Sequence, residues 1–227
     1  MTDQAARAFG AFRHATQKLR DHYQKLAANR RPARVSDMDR LVFPYPNSFT
    51  NNEGKQIKFT YVRRCLDDKL MFIAKVDELN ILIKFTRQYS EDAHRFCAER
   101  NVAPKLHAVE RLAGGWMMVA MEYLDPEVYK TSLCPSLRLD SESLLGKIRQ
   151  VVQILHSGGF VHGDIRGPNV MVNADASQVM LVDFDWAGLE GKVQYPSNIN
   201  PNAIPIGVTD GQIIEKQHDL EMLNFFF

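Results

Sequence analysis

The stretch from His162 to Asp185, HGDIRGPNVMVNADASQVMLVDFD, decides the reading of this chain. Between Asn169 and Asp183 lie two short apolar runs, Val170–Val172 and Val179–Val182, separated by the turn-forming segment Asn173–Gln178. That pattern reads as strand, turn, strand. A hairpin sets its two ends side by side, roughly 5 Å apart at the backbone. The amide of Asn169 and the carboxylate of Asp183 therefore converge. Asp164, five residues before Asn169 in a glycine-bearing loop, adds a second acid, and Arg166 adds a cation. Hard divalent cations such as magnesium take oxygen ligands of this kind and keep substrate phosphates as co-ligands. Taken singly, each residue has a plainer explanation: Asp164 and Asn169 cap turns, and Asp183 opens the next loop. The set at this spacing favours the cation site.

Working outward, Ser141–His156 has Leu144, Leu145, Ile148, Val151, Val152 and Leu155 on one stripe, with Gly158-Gly159 placed to end a helix. Lys58–Arg64, Lys69–Val76 and Leu79–Thr86 are β-rich runs split by the polar turns Leu66-Asp67-Asp68 and Asp77-Glu78, an antiparallel meander. A short helix is expected over Tyr89–Asn101, with Ala93, Phe96 and Cys97 on one side, stopped by Val102-Ala103-Pro104. Leu106–Arg111 and Trp116–Tyr123 flank Gly114-Gly115 as a further hairpin, and the segment from Ile213 makes a closing helix. The first 55 residues read as a separate N-terminal helix and connector. In that helix Phe9, Phe12, Leu19, Tyr23 and Leu26 form a stripe expected to be buried.

Composition narrows the function. The 227 residues are 45% hydrophobic and 24% charged, with a formal net charge of +1, which describes a globular chain rather than long disorder. The longest apolar run, Trp116–Met121, is six residues, whereas a membrane span needs roughly 20. Without a basic and apolar leader at the N-terminus, an intracellular protein, cytoplasmic or nuclear, is expected. Three widely spaced cysteines suggest reduced thiols rather than disulfides or zinc. Residues 1–40 hold nine Lys or Arg against four Asp or Glu. With no aromatic platform beside them, those charges read as the solvated face of a helix and not as a nucleic-acid contact.

The motifs resemble the protein kinase-like superfamily, and the phrases FVHGDIRGPNVMV and LVDFDWAG resemble the small divergent kinase-like domains seen in many fungal predicted proteins. HGDIRGPN at 162–169 is similar to the catalytic loop H-R-D-x-K-x-x-N, and Asp183-Phe184-Asp185 is similar to D-F-G. The resemblance covers roughly residues 56–225. It implies an α+β, bilobal fold: an antiparallel-sheet N-lobe over 56–122 and a short, mainly helical C-lobe over 123–227. It also implies ATP and Mg²⁺ as cofactors. Lys84 would hold the α- and β-phosphates, kept in place by Asp92, the slight preference, or by Glu91 on the short helix. Asn169 and Asp183 would bind magnesium, with Asp185 as an added metal ligand. Asp164 would orient or deprotonate the acceptor hydroxyl, and Arg166 would neutralise the γ-phosphate as a planar fork. Backbone groups of Met121, Glu122 and Tyr123 would meet the adenine edge. His162 would brace the loop, and Asp219 in His218-Asp219-Leu220 would hold it from below.

The departures from the family pattern bear on activity. No glycine occurs between Gly54 and Gly114, where the phosphate-covering loop belongs, and close backbone approach to phosphates is harder without one. Leu82 replaces the usual alanine above adenine, and Gly163 replaces the arginine that answers a phosphorylated activation segment, so switching by such phosphorylation is not expected. Only 44 residues follow Asp183, with YPSNINPNAIP as a shortened activation segment. The resulting expectation is an ATP- and magnesium-dependent phosphotransferase acting on protein Ser/Thr hydroxyls. Two alternatives stand beside it: a pseudokinase binding module using the N-terminal helix to hold a partner, and a small-molecule phosphotransferase of aminoglycoside or choline kinase type.

Overall fold

A computed structural model describes residues 2–28, 46–65, 69–134, 140–200 and 204–226. The turn Leu66-Asp67-Asp68, the side chain of Leu26, most of the connector and part of the YPSNINPNAIP segment lie outside the described residues. The chain divides into two units, Met1–Pro46 and Asn47–Phe227. The first contains helix α1, Thr2–Ala28. Its stripe does not fulfil the expectation of burial: Phe9, Phe12, Leu19 and Tyr23 are all exposed. A 3.6-residue period reports that apolar groups share a face, and burial requires in addition that another element cover it.

The second unit is built around a five-stranded antiparallel sheet of order β3-β4-β5-β7-β6, formed by β3 (Thr60–Arg64), β4 (Met71–Val76), β5 (Leu79–Thr86), β6 (Leu106–Arg111) and β7 (Met117–Glu122). Period-two alternation on β5 sorts its side chains. Ile81, Ile83 and Phe85 join the sheet core with Ala74, Met118 and Ala120, while Leu82 and Lys84 turn to the opposite face and line a cleft. A small hairpin, β1 (Ser48–Thr50) with β2 (Gln56–Lys58), precedes the sheet. It lies partly in the stretch expected to be connector, and Phe49 stacks there on Phe59 and His107.

Helix α2, Glu91–Ala98, starts where the Ser90 hydroxyl accepts from the Ala93 amide, with Glu91 and Asp92 in the first turn, where the helix dipole favours acids. Helix α3, Ser141–Ser157, is capped by Asp140 accepting from Ser143 N at 2.7 Å. Its buried stripe of Leu144, Ile148, Val151, Val152 and Leu155 anchors the second core together with Ala93 and Cys97 of α2. Gly158 lets the two helices meet, because a Cβ there would stand 2.5 Å from the Phe96 ring. After β8 (Tyr129–Thr131) and β9 (Phe160–Val161), the expected hairpin forms from β10 (Val170–Asn173) and β11 (Val179–Leu181). The short strand β12 (Gly188–Leu189) pairs with β9, and helix α4 covers Lys216–Met222. This is the expected α+β architecture, a sheet lobe and a helix-rich lobe with a cleft between.

Candidate active site

The cleft between the sheet and the β10–β11 hairpin has a volume of about 580 Å³. Met71, Ile73, Leu82 and Met121 line it from the sheet, and Met171 and Val182 from the hairpin. The Val182 amide donates to the Asn169 carbonyl at 3.0 Å, which extends the pairing by a step and brings Asn169 beside Asp183. Asp183 takes a left-handed backbone, φ 71°, a conformation that Asp tolerates better than most residues.

Lys84 reaches across the cleft to this turn. Its ammonium donates to Asp183 Oδ1 at 2.5 Å and to Asp185 Oδ1 at 2.6 Å, and Asp185 Oδ2 accepts from the Thr86 hydroxyl at 3.0 Å. Burial opposes the ammonium charge, but the two carboxylates outweigh it and hold the Lys84 pKa above the ordinary lysine value. The two acids part company. At Asp183 burial is overcome by Lys84, and its pKa is lowered. At Asp185 burial is only partly offset by Lys84, and its pKa is raised. Asp183 is therefore the acid that stays ionised, and Asp185 takes a proton first.

The helix acids do not tether Lys84 here. Glu91 pairs with Arg95 at 2.6 Å, and Asp92 is exposed. Packing of Ala93, His94 and Cys97 sets the rotation of α2, and that rotation turns both acids away from the lysine. His94, a residue the sequence reading did not single out, points inward instead. It is fully buried, lies 2.6 Å from the Tyr89 hydroxyl and 2.8 Å from the Pro104 carbonyl, and stacks on Phe184. Burial lowers its pKa to about 4, so it is neutral near pH 7. Its only signal in the sequence was its place between Ala93 and Cys97 on the inward face of an eight-residue helix.

The loop 162–169 is held from beneath by Asp219, which has no exposed surface. Its carboxylate accepts from His162 N at 2.8 Å and Gly163 N at 2.7 Å, and lies 2.9 Å from His156 Nε2. His162 lies 3.2 Å from the Val182 carbonyl through Nε2 and accepts from Asp164 N through Nδ1 at 3.3 Å, a bracing position. Asp164 Oδ2 accepts from Asn169 Nδ2 at 2.7 Å and from Arg166 Nη2 at 3.0 Å. Arg166 Nε lies 2.7 Å from Oδ1 as an ion contact, but its N–H is not directed at that oxygen, which accepts no hydrogen bond. Glu122 N donates to the Lys105 carbonyl at 2.8 Å. Its amide is therefore committed to the sheet, and what remains for a ligand at that edge is carbonyl groups and the residues beyond, Tyr123 and Leu124, both of which line the cleft.

These residues fit a magnesium ion. Asn169 uses its amide N–H groups on Asp164, which leaves the amide oxygen as the group available to a cation beside Asp183. Among the described residues no three His, Cys, Asp or Glu converge as a complete metal cage. Two carboxylates and an amide are a partial oxygen set, the kind magnesium completes with water and phosphate.

Comparison with solved structures gives the fold its class. The Cydia pomonella granulovirus kinase PK-1 matches with a TM-score of 0.59 at 14% identity, over 73% of this chain and 65% of that one. Vaccinia related kinase 3 matches with a TM-score of 0.55 at 15% identity, over 81% of this chain and 67% of that one. The chain has a protein kinase-like fold, and it spans slightly less than two thirds of the length of the granulovirus kinase. No protein-family model and no curated protein matches the sequence. Among the described residues no helix is long and apolar enough to cross a membrane.

Proposed function

We propose that this chain is an ATP- and magnesium-dependent phosphotransferase that delivers the γ-phosphoryl group to a hydroxyl, with protein serine or threonine as the acceptor. One observation carries the reading: an ammonium from the sheet, Lys84, meets the carboxylates of Asp183 and Asp185 at the edge of a nucleotide-sized apolar cleft, next to the loop bearing Asp164 and Asn169. Phosphoryl transfer asks chiefly for positioning and charge neutralisation, and these residue types supply both.

In this reading the aliphatic side chains of Leu82, Met121 and Met171 enclose the base. Lys84 neutralises phosphate oxygens. Asp183 and Asn169, with Asp185 beside them, would hold magnesium, which would supply electrostatic stabilisation of the charge that develops on the phosphates. Asp164 accepts the proton of the acceptor hydroxyl as its oxygen bonds to the γ-phosphorus and the bond to the β–γ bridging oxygen breaks, releasing ADP, and Arg166, already lying on that carboxylate, turns its planar fork to the transferring group. Isothermal titration with ATP and magnesium, followed by transfer of labelled γ-phosphate to a protein and small-alcohol panel, tests the assignment. The expected result is that Asp164→Asn abolishes transfer while retaining nucleotide affinity, and that Asp183→Ala loses magnesium-dependent binding. Wild-type protein that binds no nucleotide overturns it.

The second reading, a binding module without turnover, is favoured by one feature: the sequence between β3 and β4 has no glycine, where a phosphate cradle would need close backbone approach. Wild-type protein that binds ATP but transfers nothing, and that holds a protein partner equally well as Asp164→Asn, supports that reading over the first.

A further inference from the structure

The stretch that joins β3 to β4 carries no glycine, but Lys69, just before β4, lines the cleft. The Lys69 ammonium lies 3.5 Å from Asp183 Oδ2, while Lys84 holds Oδ1 of the same carboxylate at 2.5 Å. Lys69 lines the cleft together with Lys84 and Asp183, and both lysines also bound the smaller cavity beside Asp185. Two single positive charges thus surround the group that, in the proposed function, receives one divalent cation.

We propose that Lys69 is a second phosphate-binding cation of this cleft and supplies, through a side chain, the contact that a glycine-rich loop supplies through backbone amides. The inference rests on the reading of the cleft as a nucleotide site. When a cation enters with a triphosphate and takes Asp183, the two ammoniums lose their shared anion, and the nearest replacement oxygens are those of the phosphates. The two lysines differ in freedom. Lys84 is buried and held by Asp185 as well, whereas the Lys69 side chain is 45% exposed on a flexible four-carbon stem. Lys69 can therefore follow the ligand, and its anchorage at Lys69 O, which accepts from Arg64 Nε at 2.9 Å, keeps its backbone at the cleft. The ligand class is a nucleoside polyphosphate. A monophosphate offers neither a β- nor a γ-phosphate to this second cation.

Isothermal titration of the full chain with ATP and AMP, for wild type, Lys69→Met and Lys69→Arg, tests the assignment. Losing one charge-assisted phosphate contact is expected to weaken ATP binding about tenfold or more, with AMP affinity within about twofold of wild type and the arginine variant close to wild type. Equal losses for ATP and AMP in Lys69→Met would mean that the lysine only shapes the cleft, and unchanged ATP affinity would mean that it does not touch phosphate; either overturns the proposal while leaving the nucleotide site standing. Wild-type protein that binds neither ligand overturns the nucleotide site itself, and the Lys69 assignment with it. Thermal melting of each variant without ligand verifies that the comparison is between folded proteins.

Discussion

His94 and Phe184 lie face to face, ring centroids 4.6 Å apart and planes 6° from parallel, so the short helix α2 touches the Asp-Phe-Asp motif through an imidazole. The neutral ring suits this place: one nitrogen meets the Tyr89 hydroxyl and the other the Pro104 carbonyl. Burial lowers the folded-state pKa from 6.5 to about 4. A depressed histidine pKa means that the unfolded chain binds the proton more readily. The associated stability is therefore present in full above pH 6.5 and is lost as pH falls through 4, about 3 kcal/mol in all. Urea unfolding of wild type and His94→Gln between pH 7 and pH 4 is expected to show the two stabilities converging by about that amount. A gap independent of pH would contradict it.

Asp219 carries a different kind of load, since two backbone amides and an imidazole converge on one buried carboxylate. Removing it leaves buried donors unpaired, and Asp219→Ala is expected to destabilise the protein by about 3 kcal/mol or more. Asp210, whose carboxylate accepts from Asn198 N and Ile199 N at an exposed turn, is the contrasting site. Asp210→Ala is expected to cost about 1 kcal/mol. Chemical denaturation of both variants checks the ranking.

Gly163 has φ 78°, and a Cβ there would stand 2.7 Å from Ile214 Cδ1 and 3.5 Å from Trp186 Cβ. The isoleucine tip can move, but the backbone conformation cannot be changed without shifting the amide that Asp219 binds. Gly163→Ala is expected to cost about 1–2 kcal/mol from the left-handed backbone, read as a lowered midpoint in urea. The arginine that the family pattern places here adds bulk to a space already filled by Ile214 and Trp186, so Gly163→Arg is expected to be worse than alanine rather than a repair.

Lys84 pairs with Asp185 and not with the acids of α2. In the proposed reaction, Glu91→Gln and Asp92→Asn are accordingly expected to leave phosphoryl transfer within about twofold of wild type, and Asp185→Asn to lower it by about tenfold or more, on the scale of lost electrostatic positioning. Steady-state rates at saturating ATP and magnesium distinguish the two cases, and a large loss in Glu91→Gln would restore the helix acid to the site.

The contrast between Asp183 and Glu91 explains what the sequence could disclose. Asn169, Asp183 and the hairpin between them are linked by local pairing, and a strand period of two fixes which side chains share its end. The same period placed Leu82 and Lys84 on one face of β5. Glu91 and Asp92 depend on how α2 rotates against the rest of the unit, and that was decided by a polar residue, His94, occupying an inward position that composition would assign to solvent. Lys69 stays hidden for a related reason: in sequence it is only the first residue of a β-rich run, and its approach to Asp183 is a contact across 114 positions. Phe9, Phe12, Leu19 and Tyr23 show the complementary limit, since a stripe can be seen in sequence without any sign of what it faces.

Both carboxylates that hold Lys84 come from a single three-residue motif on the opposite side of the cleft. Widening the cleft would therefore break both ion pairs together. Gape and charge neutralisation become one coordinate in this protein, because any separation of the two sides would part Lys84 from both acids at the same moment. In the proposed function a polyanion and its metal are the groups that would take up the charges so separated.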